Sequence, residues 1–158
     1  MFGKKQKATT TPEEVVEVLD AIAPWLEAYA WSDNGFVVQT PHVMNRVWEP
    51  RDDLWWSGDL YQVGEEDWET SDWVQSGVGR TDSAAAIALY VLAYAWEGLF
   101  FELTDRGDKP AFAWLLKTSE VFLGAMQGDF PVPLDRNELM LAAHFHQETQ
   151  ARLAASTN

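Results

Sequence analysis

One stretch, AAAIALYVLAYAWEGLFF from Ala84 to Phe101, limits what this chain can become. It holds a single charge, Glu97. A helix that is apolar on every side must be enclosed, by other helices or by lipid. Thr81, Asp82 and Ser83 precede it and are helix-capping residues; Asp82 also suits the positive end of the helix dipole. Thr104-Asp105-Arg106-Gly107 is a stop signal. Ile87, Tyr90, Val91 and Tyr94 share one face, and Leu89, Leu92, Trp96, Leu99 and Leu103 share another. Ala84, Ala88 and Ala95 form a narrow strip that admits a neighbouring backbone. Glu97, Gly98 and the polar tips of Tyr90, Tyr94 and Trp96 lie inside this window, which weighs against a membrane span. The expectation is a buried central helix over residues 82–103. Glu97 then lies beside a core and needs a partner or a route to water.

A chain of 158 residues fits one domain. At 47% apolar and 13% aromatic it has the material for a core. It has no cysteine, so disulfides and thiolate chemistry are excluded. That composition, with no apolar run after the basic residues 1–7, places the expectation in the cytoplasm.

Charge narrows the partners. Lys4, Lys5 and Lys7 lie in the first seven positions, which leaves residues 8–158 with eight basic against 25 acidic residues, a net of −17. Such a body repels nucleic acid and anionic membranes and attracts basic proteins or cations. The bland alternative is that the charge serves solubility.

The domain plan is a flexible basic arm (1–10), one globular domain (11–155) and a loose tail (156–158). Thr11-Pro12-Glu13-Glu14 is a capping box with proline at the first helical position. Val15, Val18, Leu19, Ile22, Leu26 and Tyr29 follow at helical spacing, interrupted at Pro24 by a kink or a second helix start. Residues 36–39 read as a short strand. Thr40-Pro41 opens a short helix carrying Val43, Met44, Val47 and Trp48. Residues 54–56 and 60–63 flank Ser57-Gly58-Asp59 as a hairpin, and residues 73–75 add a short strand. A further helix starts at Asp108-Lys109-Pro110, with Gly128 as its cap. A last one starts at the capping box Asp135-Arg136-Asn137-Glu138 and runs towards Ala155. The fold expected is mainly helical (α+β): a bundle of about four helices around the central one, with a Trp-rich insert forming a small hairpin or sheet.

That insert carries the chemistry. Residues 48–73 hold five of the nine tryptophans (Trp48, Trp55, Trp56, Trp68, Trp73), nine acids and one base, Arg51. Aromatic faces beside carboxylates bind cations, stack on sugars or grip basic protein segments. The competing reading has alternate tryptophans packing inward, Trp48, Trp55 and Trp73 above all, while the acids face water. Trp56 and Trp68, next to turns, are better placed for exposure.

Catalytic motifs are missing. Carboxylates are too plentiful to mark a glycosidase pair, and there is no nucleophile elbow. Gly77-Val78-Gly79-Arg80, two glycines at a helix N-terminus, could bind an anion, but a turn and cap explain it equally well and Asp82 would repel phosphate. His144 and Glu148 share a helix face without a third ligand at a recognisable spacing, and His42 and His146 add no pattern. No metal or cofactor is called for.

The leading expectation is therefore a non-enzymatic interaction domain. It binds a basic protein partner, as immunity-type inhibitors, secretion chaperones and DNA-mimicking regulators do. Its contact residues are Trp55, Trp56, Asp59, Glu65, Glu66, Asp67, Trp68 and Glu69. The alternative is a small-molecule binder with an aromatic pocket between the insert and the central helix, holding a cation or sugar through Tyr94 and Glu97. A purely structural or self-associating domain is the third possibility.

Overall fold

A computed structural model describes residues 9–40, 45–106 and 109–156. The element order is α1 (Pro12–Ile22), β1 (Glu27–Ala30), β2 (Phe36–Gln39), β3 (Asn45–Arg51), β4 (Leu54–Gln62), β5 (Trp68–Gly79), α2 (Ala84–Arg106), α3 (Lys109–Met126) and α4 (Arg136–Ser156). The five strands form one antiparallel meander in the order β1-β2-β3-β4-β5. The expected helical bundle with a small hairpin is overturned: the five strands form one sheet that is a major layer of the fold.

Each misread segment has a physical reason. Pro24 lacks an amide donor, and α1 stops before it, at Ile22. Tyr29, expected on a helix, lies in β1 opposite Val37. Val47 and Trp48, also expected on a helix, lie in β3 opposite Val37 and Phe36; Pro41, Val43 and Met44 fall outside the described residues. Pro50 is tolerated in β3 because β2 pairs only as far as Trp48, so the missing amide faces no neighbour. Ser57-Gly58-Asp59 is not a turn but the middle of β4, where Ser57 faces Trp48, Gly58 faces Val47 and Asp59 faces Arg46. The true turn is Asp52-Asp53, with Asp52 in the left-handed region at φ 56°, a conformation aspartate tolerates.

Other expectations hold. The first capping box forms: the Glu14 amide donates to Thr11 Oγ1 (3.2 Å) and the Thr11 amide to Glu14 Oε1 (3.2 Å). β2 covers residues 36–39. The central helix is present, displaced two to three residues towards the C-terminus. Gly128 follows α3 at φ 83°. The Thr10 amide donates to the Arg80 carbonyl (2.9 Å) and its hydroxyl to that of Asp82 (2.5 Å). Residues 1–8 and 157–158 lie outside the described residues.

Strand alternation sorts the sheet into two faces. Phe36, Val38, Trp48, Trp55 and Val78 join α1 and α2 in the main core. Val37, Val47 and Leu60 form a second, smaller cluster with Tyr29 and Trp73 on the other face. On α2, Ile87, Leu89, Leu92, Trp96 and Leu99 are all buried, because α1, α3 and α4 pack around it. The window Ala84–Phe101 is long and apolar enough to cross a membrane, and 44% of it is buried in this fold. The Trp96 indole donates to the Leu115 carbonyl (3.0 Å), so even its polar edge is satisfied by α3.

Candidate functional site

The end of the sheet formed by β4 and β5 carries two features of interest: an exposed hairpin tip and a groove beneath α2. Two irregularities in the β4–β5 ladder build them. In the first, two residues of β5 (Asp72, Trp73) stand against one of β4 between the pairs Asp59–Ser71 and Ser57–Val74. Asp72 takes up this bulge at φ 56°. The second lies between the pairs Trp56–Gln75 and Leu54–Gly79. There Ser76 replaces the missing ladder bonds: its hydroxyl donates to the Trp55 carbonyl and accepts from the Val78 amide. Gly77, at φ 79°, allows the turn. The Ser76 carbonyl is left over, and the Tyr94 hydroxyl donates to it (2.8 Å), tying α2 to β5.

The groove lies beneath that tie. It is a cavity of about 350 Å³ whose lining includes Val38, Trp48 and Val74 from the sheet and Val91, Tyr94, Ala95 and Phe101 from α2. Trp48 and Tyr94 meet with ring centroids 5.5 Å apart. Its charged groups are Arg46, Asp59 and Glu97. Arg46 lies 3.4 Å from Asp59 Oδ1 and 3.5 Å from Ser57 Oγ. Glu97 lies 3.6 Å from Arg152 of α4, with its side chain 46% exposed. It thus has both a partner and a route to water. Burial, then the Glu97 carboxylate and the Tyr90 phenol, raise the Tyr94 phenol above its ordinary value.

The hairpin tip is exposed throughout residues 61–69. The Val63 amide donates to the Asp67 carbonyl (2.9 Å) and the Gln62 amide side chain to the Glu65 carbonyl (2.8 Å), which closes the turn. The Tyr61 hydroxyl donates to Glu69 Oε2 (3.0 Å). That bond, followed by the Glu69 charge, raises the Tyr61 phenol. Among the described residues, Glu65, Glu66, Asp67, Glu69 and Asp72 enter no ion pair. Tyr61, Val63 and Trp68 stand exposed beside them.

The residues singled out from sequence separate into four places. Glu65, Glu66, Asp67, Trp68 and Glu69 share the tip. Asp59, Tyr94 and Glu97 line the groove. Trp55 is 1% exposed, packed at 5.3 Å from Phe36, and has no surface to offer. Trp56 lies on the opposite face of the sheet, where it and Trp73 flank the Arg51 guanidinium at 5.6 and 4.1 Å while Glu49 pairs with it at 3.4 Å. The insert's one base is thereby held by its own tryptophans. Arg46, Ser57, Ser76, Val74 and Phe101 escape a reading of the sequence. Strand alternation across β3 and β4 would reveal Arg46 and Ser57, but Ser57-Gly58-Asp59 resembles a turn.

His144 and Glu148 approach to 3.8 Å on the exposed side of α4. Among the described residues no three ligand-type side chains gather. The chain matches no protein-family model, and no curated protein or solved structure is significantly similar to it.

Proposed function

We propose that this is a non-enzymatic interaction domain that captures a basic protein segment at the β4–β5 hairpin tip. The observation that carries the reading is the set of tip carboxylates without ion pairs among the described residues, standing beside the exposed Trp68 ring. Opposed cations supply charge complementarity, and Trp68 and Tyr61 supply aromatic contact area at low entropic cost. The net charge of −17 over residues 8–158 steers a basic partner towards the domain.

The test is capture of basic proteins on the immobilised domain with elution by a salt gradient. Exposed charges are screened once the Debye length falls to about 3 Å near 1 M salt, so captured protein leaves at a defined salt step. Reversing Glu65, Glu66 and Asp67 to lysine together is expected to remove capture, and Trp68→Ala to weaken it. Capture that survives the triple reversal sinks the reading.

A further inference from the structure

The groove lies along β4 from the hairpin tip. Building on capture of a basic segment at that tip, we infer that the groove receives one long-stemmed cationic side chain, a lysine or arginine, from the same segment. Asp59 and Tyr61 are two residues apart on β4, on the same face, a step of about 7 Å. An extended segment lying on that face therefore reaches from the tip to the groove.

The groove fits such a side chain in both stem and head. Val74, Phe101 and the Tyr94 ring, each exposed, give an apolar lining for the methylenes. Asp59 from the sheet and Glu97 from the helix supply two carboxylates on opposite walls. Each is only loosely paired within the chain, at 3.4 Å to Arg46 and 3.6 Å to Arg152. Tight charge-assisted bonds are about 2.7–2.9 Å. An incoming ammonium or guanidinium offers shorter donors than those the two carboxylates have among the described residues. The Tyr94 ring, exposed on the groove side and packed 5.5 Å from the buried Trp48, adds an aromatic face that favours a cation.

The full-length protein, ¹⁵N-labelled, is titrated with hexylamine, hexanol and hexanoate, and the Trp48 indole resonance is followed, assigned by Trp48→Phe. Hexylamine is expected to shift it saturably, at least about tenfold more tightly than hexanol, with no saturable shift from hexanoate. Glu97→Gln, at an exposed position, and Asp59→Asn are each expected to weaken hexylamine by about tenfold and to leave hexanol unchanged. Equal binding of all three probes overturns the inference, as does hexylamine binding that neither variant alters. The probe touches no tip residue, so the two readings fail separately. Capture lost on tip reversal with no hexylamine binding removes the groove inference alone. Capture indifferent to tip reversal with hexylamine still bound removes the tip reading and the proposed anchoring, leaving a bare cation site.

Discussion

Ser83 and Glu138 lie 55 residues apart in sequence, and the Ser83 hydroxyl donates to the Glu138 carboxylate. Each also belongs to a helix N-terminus. Ser83 Oγ accepts from the Ala86 amide (3.0 Å) at the start of α2. Glu138 Oε1 accepts from the Asp135 amide (2.7 Å), and Asp135 Oδ1 from the Glu138 amide (2.8 Å), at the start of α4. One bond therefore joins two helix caps. Ser83→Ala removes a cap, worth about 1 kcal/mol, and takes a donor from a carboxylate on a buried residue, Glu138 being 8% exposed. The combined loss is expected to be about 2–3 kcal/mol, read as a lower urea midpoint at unchanged slope. Ser83→Thr, which keeps the hydroxyl, is expected to restore most of it.

Neighbouring hydroxyls on α3 are expected to behave in opposite ways. Thr118 is fully buried and its hydroxyl has no partner among the described residues. Ser119 is 1% exposed and bonds to Thr149 Oγ1 (2.7 Å) and Gln150 Nε2 (3.0 Å) of α4. Thr118→Val removes a desolvated polar group with little change of shape and is expected to stabilise by about 1 kcal/mol. Ser119→Ala removes both bonds at the α3–α4 contact, while Thr149 Oγ1 keeps its bond to the His146 carbonyl (3.0 Å), and is expected to cost about 1 kcal/mol. Paired thermal or urea unfolding of the two variants measures both.

Gly35 sets how closely the β1–β2 turn approaches β3. A β-carbon there would lie 2.9 Å from the Trp48 carbonyl oxygen, a backbone atom that cannot swing away. Gly35→Ala is expected to cost about 1–3 kcal/mol by overpacking. Trp48 fluorescence should shift with it, since the displaced segment carries that ring.

Alkaline pH is expected to destabilise the fold through its tyrosines. Tyr94 and Tyr29 are both raised above 10.0, in each case chiefly by burial, with Glu97 and Glu27 as the next contributors. Above pH 10 the unfolded chain releases these protons first. Stability is therefore full below that pH and declines as pH rises towards the folded values. Tyr94→Phe loses the bond to the Ser76 carbonyl, about 1 kcal/mol at neutral pH, and is expected to flatten the alkaline decline. Urea midpoints measured from pH 8 to about 11.5 on both proteins, a range spanning the ordinary tyrosine value, test this.

Local signals are legible in the chain because their partners are near in sequence. Thr11 meets Glu14 and Asp135 meets Glu138 within one turn, and nothing distant is needed to read either box. The central helix is legible from continuous apolarity alone. Composition and turn position point to Asp59, Tyr94 and Glu97, and the structure brings them to one groove. Arg46 and Ser76 carry no such signal, because Arg46 meets Asp59 only through strand register, and the free Ser76 carbonyl exists only because of a bulge. Trp55 and Trp56 look alike as a dipeptide, yet one residue of strand pleat sends them to opposite faces.

The sequence by itself determined the existence of α1 to α4 and the capping boxes of α1 and α4, the acidic body and the content of the hairpin tip, since periodicity, capping and charge act over a few residues; the helix it extended to Tyr29 and the one it placed at Val47 and Trp48 are strand. Only the tertiary structure decided that Ser57-Gly58-Asp59 is strand and not turn. A serine and a glycine there face Trp48 and Val47 across the ladder, and pairing between distant segments outweighs the local preference for a turn. The same pairing aligned Asp59 with Arg46 and carried both beneath α2, where the groove lies.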